Sequence, residues 1–392
     1  MGREVSMETR ELVVSAGNHD RERCPLNFTL ELSPDEEVGS VKLKEKESGE
    51  DVPVQWEQDR STGRVALSWI LDNLEAGDTK SYVVSLEKGQ AEGKDMGVRL
   101  VQAEEKVEVW IEDGLFTAYH FGGGIARPFL YPLVGPGGLH LTRRLAQKGD
   151  KELDHHHHRS FWVAHGDVNG VDNWSEGEGH GRTIHRVFEQ LKEGMVFARI
   201  RARGDWVSRD GEKVLEEIRD LKFYNLPHES RIIDMDLYLK ATEEDVTFGD
   251  TKEGGIASLR VMPSMEVRNG GRIENSYGGI NEAETWGKRS HWCDYSGTVD
   301  GQTIGIALFD HPENFRHPTW WHVRDYGLMT ANPFALSYYT GDPTKRGDHL
   351  LRHGEELRFT FRLFIHQGDA TAGKVRARYH DYINPPVVEL KG

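Results

Sequence analysis

Cysteine is almost absent from this sequence. The 392 residues contain only Cys24 and Cys293. A disulfide framework needs several pairs of cysteines and a thiolate zinc site needs several thiolates, so both are excluded in a chain of this size. We therefore expect no redox chemistry at sulfur.

Long hydrophobic runs are also missing. A helix needs an apolar stretch of about 18 residues to cross a bilayer, and the sequence contains none. The N-terminal segment, MGREVSMETRELVVSAGNHD, mixes both charges where a secretory signal would be continuously apolar. These absences predict a cytoplasmic protein that is not embedded in a membrane.

Positive charge is in deficit. The 49 Lys and Arg residues are outnumbered by 65 Asp and Glu residues, which gives a formal net charge of −16. Binding to nucleic acid requires a basic surface, and an acidic protein is repelled by anionic lipid. We expect neither nucleic acid nor a membrane surface as a partner.

Several short catalytic motifs are missing as well. There is no GxxxxGK[ST] and no strand-borne GxGxxG, so no nucleotide cofactor is expected. A GxSxG elbow and an HExxH helix are also absent, which argues against a serine hydrolase and against the common zinc-protease motif.

What the sequence does contain is a succession of short alternating segments. Between residues 10 and 88, apolar and polar residues alternate at 41–44, 65–69 and 82–86, which is typical of half-buried strands. The segment 89–97 has no apolar period and resembles a linker. We therefore predict a small β-sandwich domain over residues 1–100.

Longer strand patterns follow, including 106–111, 161–165, 231–239 and 357–365. Only the segment 370–382 resembles a helix of more than three turns. Residues 101–392 are therefore predicted to form a large antiparallel β-sandwich, so the whole chain is all-β. The long connections 121–160, 165–182, 272–300 and 310–345 exceed ordinary loop lengths and are candidates for function.

The first candidate site is the histidine-rich segment 154–170, followed by Trp174 and Glu176. If residues 155–165 are extended, His155, His157 and His165 lie on one face, and His156 and His158 on the other. Neutral imidazoles with a carboxylate could bind Zn, Mn, Ni or Fe. Alternatively, most of these imidazoles hydrogen-bond to loops and only one or two reach a pocket.

A second cluster, residues 278–297, contains carboxylates, arginine and tryptophan in a Gly-rich stretch. Indole rings stack on the apolar faces of sugars, while Asp, Glu and Arg bind sugar hydroxyls. The pattern therefore favours a carbohydrate site. A surface hairpin whose tryptophans pack onto the sandwich is the alternative.

The third cluster is residues 311–328, which includes His317, His322, Arg324, Asp325 and Tyr326. Histidine and tyrosine exchange protons when a pocket tunes them, so these residues are candidates for general acids or bases. Pro312 and Pro318 favour an extended backbone beside them. A rigid structural loop is the alternative.

Several motifs resemble one family in the same order along the chain. They are FGGGIARPFLYPL at 121–133, WGKR at 286–289, DYSG at 294–297 and HPTWWHVRDYG at 317–327. Together they resemble the family named methane oxygenase PmoA-like, over roughly residues 105–385. The sequence departs from the family pattern at His156, where proline is expected, and at Asn173, where an aromatic residue is commoner.

The resemblance does not extend to oxygenase activity, because a methane monooxygenase subunit is an integral membrane protein and this chain has no spanning segment. It implies instead a galactose-mutarotase-like β-sandwich and a connection with sugar catabolism. That fold hosts epimerases, lyases and glycoside hydrolases, so the resemblance alone does not fix the reaction.

These observations lead to one main hypothesis, an enzyme that cleaves a glycosidic bond by hydrolysis or elimination, with or without a divalent metal (Zn, Mn, Ni or Fe). The predicted catalytic residues are Glu176, Glu284, Asp294, His322 and Tyr326. The predicted substrate-binding residues are Arg159, Trp174, Trp286, Arg289, Trp292 and Arg324, and the predicted metal ligands are His157, His165 and His322. A metal-independent sugar mutarotase or epimerase, and a non-catalytic carbohydrate-binding protein, are the alternatives. A homo-oligomer is compatible with the sequence.

Overall fold

The computed structural model describes residues 7–33, 35–88, 97–146, 149–150, 154–227 and 229–391. About 52% of the chain is strand and 8% is helix, so the all-β prediction is confirmed. Most of the predicted linker, residues 89–96, lies outside the described residues.

The strands in chain order are β1 Met7–Ser15, β2 Arg21–Glu31, β3 Ser40–Glu45, β4 Asp51–Val52, β5 Val54–Asp59, β6 Arg64–Leu74, β7 Thr79–Glu87, β8 Val98–Gln102, β9 Lys106–Ile111, β10 Gly114–His120, β11 Phe129–Leu130, β12 Phe161–His165, β13 Arg182–Lys192, β14 Phe197–Val207, β15 Lys213–Tyr224, β16 Ser230–Lys240, β17 Val246–Phe248, β18 Gly254–Arg260, β19 Arg272–Asn275, β20 Trp292–Val299, β21 Gln302–Asp310, β22 Trp321–Arg324, β23 Leu328–Ala331, β24 His349–Leu351, β25 Glu356–Gln367 and β26 Val387–Leu390. The helices are α1 Asn281–Thr285, α2 Leu336–Thr340 and α3 Val375–Ile383, with short 3-10 turns at Pro136–Gly138, Pro263–Met265 and Val267–Asn269. None of the described helices is long and apolar enough to span a bilayer.

The small sandwich combines a five-stranded sheet, β26-β1-β7-β3-β4, with a three-stranded sheet, β2-β6-β5. Strand β6 shows the underlying pattern, because Val65, Leu67, Trp69 and Leu71 are buried at alternate positions. The last strand, β26, pairs with β1 through contacts such as Val14 opposite Val388. Residues 387–390, which the sequence analysis assigned to the second domain, therefore complete the sheet of the first.

The large sandwich consists of two eight-stranded antiparallel sheets. We call β22-β23-β18-β12-β11-β10-β9-β8 the site sheet and β13-β14-β15-β16-β25-β21-β20-β19 the ladder sheet. Their inner faces share one core, to which Phe161 and Leu259 contribute from the site sheet and Leu237 and Leu363 from the ladder sheet. The division predicted at residue 100 falls within β8 and stays a prediction.

The predicted strands 106–111 and 161–165 coincide with β9 and β12. The helix predicted over 370–382 is shorter at its start, because α3 begins only at Val375. The Asp369 carboxylate accepts hydrogen bonds from the backbone N–H groups of Thr371 and Ala372, at 3.1 and 2.9 Å, and so holds a turn where helix was expected.

The outer face of the site sheet is unusually polar for a buried surface. Along β12, Phe161 and Val163 point into the core between the two sheets, while Trp162 and Ala164 point to the outer face. Ser258, Arg260, Thr330 and His322 are buried polar residues on the neighbouring strands. Several of the long connections predicted to be functional cover this surface, which we call the site face.

Candidate functional site

The four consecutive histidines of the site face form a turn. The His158 N–H donates a 2.9 Å hydrogen bond to the His155 carbonyl, and His155 has a φ of 44°. The condition that residues 155–165 are extended therefore holds only from Phe161, where the strand begins. The physical cause is that Arg143 and Arg127 donate hydrogen bonds to the carbonyls of His155 and His157, at 3.0 and 3.3 Å, and hold the turn in place.

The turn stacks imidazoles against other rings. The His155 ring lies 5.0 Å from the Tyr326 ring with an interplanar angle of 11°, and 4.9 Å from the His158 ring at 13°. The His158 ring in turn lies 5.4 Å from Trp162. His155 is 38% exposed, whereas His158 is almost fully buried. The exposed end of this stack consists of His155 and Tyr326.

Asp154 fixes the orientation of His155. One carboxylate oxygen lies 3.0 Å from His155 Nδ1, and the other accepts hydrogen bonds from Arg143 at 2.8 Å and Arg260 at 3.0 Å. Burial raises the pKa of Asp154, but the charges of Arg260 and His155 and the hydrogen bonds outweigh it, so the pKa is lowered overall. Asp154 is therefore anionic at neutral pH and favours the His155 tautomer with its proton on Nδ1.

The two arginines below Asp154 are buried. Arg260 also lies 3.5 Å from the buried carboxylate of Glu266, and its guanidinium sits 4.8 Å from the centre of the Tyr326 ring. Its Nη1 is 3.1 Å from His158 Nδ1, which places the His158 proton on Nε2. Burial lowers the pKa of Arg143 to about 10, with Arg260 as the next cause. Both arginines remain charged at pH 7.

A second arginine–carboxylate group lies beside the turn. Glu176 accepts hydrogen bonds from Arg127 at 2.9 Å and from Arg159 at 3.1 and 2.5 Å. Burial raises the pKa of Glu176, but Arg159 and Arg127 lower it overall, so this carboxylate is anionic. Arg159 and Glu176 line a cavity of about 530 Å³ whose other polar walls are His156, His180 and Arg182.

His157 and Trp174 lie behind this cavity. Burial lowers the pKa of His157 to about 3, and the nearby charges of Arg127 and His155 act in the same direction. His157 is therefore a neutral and weakly basic imidazole. Trp174 is 1% exposed and packs 5.5 Å from Trp162, so as placed it supports the loop and does not face a ligand.

The third group lies at the β22 edge of the site face. Arg324 donates a 2.5 Å hydrogen bond to Glu282, and its guanidinium lies 5.5 Å from the Trp286 ring. Arg324 Nε is 3.3 Å from His322 Nε2. Burial lowers the pKa of His322 to about 3, followed by the charge of Arg324, so His322 is neutral. Its Nδ1 is buried and has no hydrogen-bond partner among the described residues.

Tyr326 joins these groups. It follows Arg324 by two positions, in the turn between β22 and β23, and its ring is partly buried. Burial raises the pKa of Tyr326, while the charges of Arg324 and Arg260 oppose that rise only in part. At neutral pH its phenol is therefore protonated and can donate a proton.

The structure places other predicted site residues away from the site face. Asp294 and Trp292 lie on the outer side of the ladder sheet, where Asp294 Oδ2 is 2.8 Å from His366 Nε2. Glu284 lies on α1, and its carboxylate accepts a 2.9 Å hydrogen bond from the Ile280 N–H. Arg289 binds the backbone carbonyls of residues 316–318. Asp294 and Trp292 are therefore on the far side of the ladder sheet, whereas Glu284 and Arg289 are engaged by backbone groups.

His165 belongs to the interior of the sandwich. Its ring lies 5.0 Å from Phe334 and 6.0 Å from Phe248, and its Nε2 is 2.9 Å from the Gly249 carbonyl. The predicted metal ligands His157, His165 and His322 therefore sit among different partners. Over the part of the chain that the structure describes, no group of three or more His, Cys, Asp or Glu side chains is arranged to hold a metal. A metal cofactor stays a prediction.

Sequence reasoning missed several residues that the fold brings to the site. Asp154, His155, Arg127 and Arg260 were not among the selected candidates, and Glu282 was passed over in favour of Glu284. Arg127 lies within the motif at 121–133, and Asp154 directly precedes the histidines, so both carried a local signal. Arg260 carried none, because it ends a strand pattern far away in sequence.

Comparison with known proteins gives a family match and distant structural matches. A family model described as a family of unknown function, DUF6807, matches residues 106–380. No curated protein matches the chain. The family match neither confirms nor contradicts the resemblance to the PmoA-like family.

Two solved structures from Enterococcus faecalis are similar over most of this chain. The match to an alpha-mannosidase of strain V583 has a TM-score of 0.46 and 7% sequence identity. It covers 98% of this chain and 46% of the alpha-mannosidase chain. The match to a protein in glycosyl hydrolase family 38 has a TM-score of 0.41 and 10% sequence identity. It covers 98% of this chain and 47% of the chain of that protein. The chain thus spans about half the length of these structures, and neither similarity assigns it a function.

Proposed function

The chain belongs to the DUF6807 family, whose function is unknown, and from the geometry of the site face we propose that it is a carbohydrate-active enzyme that cleaves a glycosidic bond by elimination. His155 is the proposed base and Tyr326 the proposed acid. Asp154 positions His155 and does not itself touch the substrate.

One observation carries this proposal, the stack of His155 on Tyr326 with Asp154 behind it. The 3.0 Å contact between Asp154 Oδ2 and His155 Nδ1 leaves Nε2 of the imidazole free to accept a proton. The Tyr326 ring lies 5.0 Å away and carries a phenol that can donate one. A base and an acid side by side on an accessible surface are what an elimination requires.

The neighbouring arginine–carboxylate groups suit a saccharide substrate. Arg159 with Glu176 and Arg324 with Glu282 offer charged donors and acceptors to sugar hydroxyls, and Trp286 lies beside Arg324. Three arginines, Arg127, Arg159 and Arg182, surround Glu176 and its cavity. This excess of positive charge favours a sugar that carries a carboxylate, such as a uronic acid.

Elimination fits these groups better than hydrolysis by two carboxyl groups. Hydrolysis of that kind needs one protonated carboxyl as an acid, but Asp154 and Glu176 both have lowered pKa values and are anionic. In the proposed step, His155 removes the proton on the carbon next to the uronate carboxylate. A carbon–carbon double bond forms, the glycosidic carbon–oxygen bond breaks, and Tyr326 protonates the departing oxygen.

The test uses a panel of uronate-containing and neutral oligosaccharides. We expect cleavage of a uronate substrate to give an unsaturated product that absorbs ultraviolet light and takes up no oxygen from isotopically labelled water. Tyr326→Phe should lower kcat by about a hundredfold or more, the usual contribution of a positioned acid. Tyr238→Phe, on the outer face of the ladder sheet, is the control and should leave kcat unchanged.

Incorporation of labelled oxygen into the product would show hydrolysis and contradict the elimination step. A second candidate is an epimerase, because His155 and Tyr326 could equally remove and return a proton on one sugar ring. It would change the stereochemistry of a reducing monosaccharide without changing its mass. If no turnover occurs and His155→Gln binds saccharide as well as the unmodified protein, the chain only binds carbohydrate.

A further inference from the structure

A chain of four hydrogen-bonded side chains lies on the opposite side of the large sandwich from the site face. The carboxylate of Asp310 is 2.8 Å from His317 Nδ1, and His317 Nε2 is 3.0 Å from His291 Nδ1. His291 Nε2 is 3.0 Å from the hydroxyl of Tyr277. The chain runs from a buried carboxylate, 1% exposed, to a tyrosine that is 67% exposed.

The carboxylate at the buried end fixes the direction of every hydrogen bond. An ionised carboxylate only accepts, so His317 carries its proton on Nδ1 and accepts at Nε2. His291 must then donate from Nδ1 and accept at Nε2. The Tyr277 hydroxyl is therefore the donor at the exposed end, and its proton can move towards Asp310 through the two imidazoles.

The surrounding structure holds the buried end of this chain rigidly. Asn314 Nδ2 and the Thr319 backbone N–H donate to the two oxygens of Asp310, at 2.7 and 2.8 Å. Arg289 donates to the carbonyls of Pro318 at 2.7 Å and His317 at 3.0 Å. Arg289, predicted from sequence as a substrate anchor, thus fixes the segment that carries His317.

The residues on either side of Tyr277 line a cleft. Ser276 and Gly278, the chain neighbours of Tyr277, line this cleft of about 750 Å³. The cleft lies between β19, the edge strand of the ladder sheet, and α3. Asn275, Trp292 and Arg376 also line it, which combines hydrogen-bonding groups with an indole. This combination suits a polyhydroxylated ligand.

We propose that Tyr277 is the catalytic residue of a second acid–base site, in which its phenol proton passes to His291 and is stabilised through His317 and Asp310. As the phenol proton passes to His291, the Tyr277 oxygen takes the proton of a hydroxyl of a saccharide or other polyol bound in the adjacent cleft. This leaves that hydroxyl oxygen as an alkoxide and an imidazolium paired with Asp310 through the relay. His291, His317 and Asp310 are positioning and relay residues. This site does not depend on the function proposed for the site face.

The test measures the reactivity of Tyr277 and needs no knowledge of the natural substrate. In the full chain, benzenesulfonyl fluoride reacts with tyrosine when the phenol oxygen attacks sulfur, the sulfur–oxygen bond forms and fluoride leaves. His291 takes the phenol proton. Labelling of each tyrosine is followed by peptide mass spectrometry. Tyr338 is the internal control, because it is also exposed, at 47%.

Tyr277 should react at least about tenfold faster than Tyr338, since a positioned base contributes about a hundredfold or more to proton transfer. Exposure alone, 67% against 47%, accounts for less than a twofold difference. His291→Phe and Asp310→Asn should each bring the Tyr277 rate down towards the Tyr338 rate and leave Tyr338 unchanged. A variant that fails to fold would be recognised because its Tyr338 rate would also change. The use of two variants at different positions keeps the test valid if one of them does not fold.

Equal rates for Tyr277 and Tyr338 in the unmodified protein would overturn the proposal, as would a His291→Phe variant with an undiminished Tyr277 rate. A panel of neutral and acidic saccharides should include one that slows Tyr277 labelling, and protection by none would overturn the assignment of a polyol ligand. Tyr326→Phe should leave Tyr277 labelling unchanged, which separates this site from the site face.

Discussion

The outer faces of the two large sheets both carry arginine–carboxylate pairs, but the pairs differ in how completely they are satisfied. On the ladder sheet, Arg199 and Arg201 share Asp220, and Arg362 binds both oxygens of Asp234, at 2.6 and 2.8 Å. These bonds run between neighbouring strands. Arg201 lies directly opposite Asp220 and Arg362 directly opposite Asp234, while Arg199 reaches Asp220 diagonally, as cross-strand pairs do in structural sheets.

On the site face the corresponding groups are left incomplete. Within the part of the chain that the structure describes, the Nε atoms of Arg143 and Arg260 and the Nδ1 atom of His322 are buried without a hydrogen-bond partner. A buried polar group without a partner costs roughly 1 to 3 kcal/mol, so a fold keeps such groups rarely and usually for a reason. Among the described residues the ladder side also keeps such atoms, at Asp294 Oδ1 and the Tyr382 hydroxyl, but Arg199, Arg201 and Arg362 have none, which fits the ligand-binding role proposed for the site face.

The largest expected effect is a loss of stability when Arg260 is removed from the site face. Arg260→Ala leaves the buried carboxylate of Glu266 with a weaker partner and removes the contact with Tyr326, so the free energy of unfolding should fall by about 3 to 5 kcal/mol. Arg358→Ala on the ladder sheet, where Arg358 is 54% exposed, should cost at most about 1 kcal/mol. Urea unfolding of both variants measures the comparison, and equal losses would contradict it.

The next effect separates activity from stability. Asp154→Asn keeps the shape of the side chain but no longer favours one tautomer of His155, so kcat on the cleaved saccharide should fall by about a hundredfold with little change in KM. Asp220→Asn should lower stability and leave kcat unchanged, because Asp220 lies on the ladder face. Equal kcat values for the two variants would refute a special role for the site face.

The smallest effect is a difference in the pH range over which the buried histidines of the site sheet and the carboxylates of the ladder sheet lose their contribution to stability. Burial lowers the pKa of His165 to about 4 and of His322 to about 3, below the unfolded value of about 6.5. Their neutral forms contribute full stability above that unfolded value. The contribution falls by about 1 kcal/mol per pH unit for each histidine as the pH drops from about 6 to 4.

The ladder carboxylates should respond only at lower pH. Burial raises the pKa of Asp220, but its bonds to Arg199 and Arg201 lower it overall, so its contribution is present above the unfolded value and is lost as the pH falls through the lowered pKa. Unfolding free energies between pH 7 and 3 measure both ranges. His322→Phe should flatten the profile between pH 6 and 4 relative to Asp220→Asn, and parallel profiles would count against the assignment.

Local sequence patterns determined the architecture of this protein. The strands at 106–111 and 161–165 were predicted from side chains that alternate with a period of two. This period is local, because successive side chains of one strand point to opposite faces of the sheet. The same pattern predicted two sandwiches and placed candidate residues in the long connections. Composition, and not this period, singled out the histidine-rich segment and Tyr326, whose roles stay predictions.

Tertiary structure decided which of those residues meet. Asp294 looked equivalent to Glu176 in sequence, but it faces His366 on the far side of the ladder sheet. The turn at His155–His158 depends on Arg127 and Arg143, and the pairing of β26 with β1 joins the two ends of the chain. These contacts link residues that are distant in sequence, and polar residues in loops follow no period. The sequence by itself therefore determined the sheets, whereas only the packed fold could select the side chains of the site.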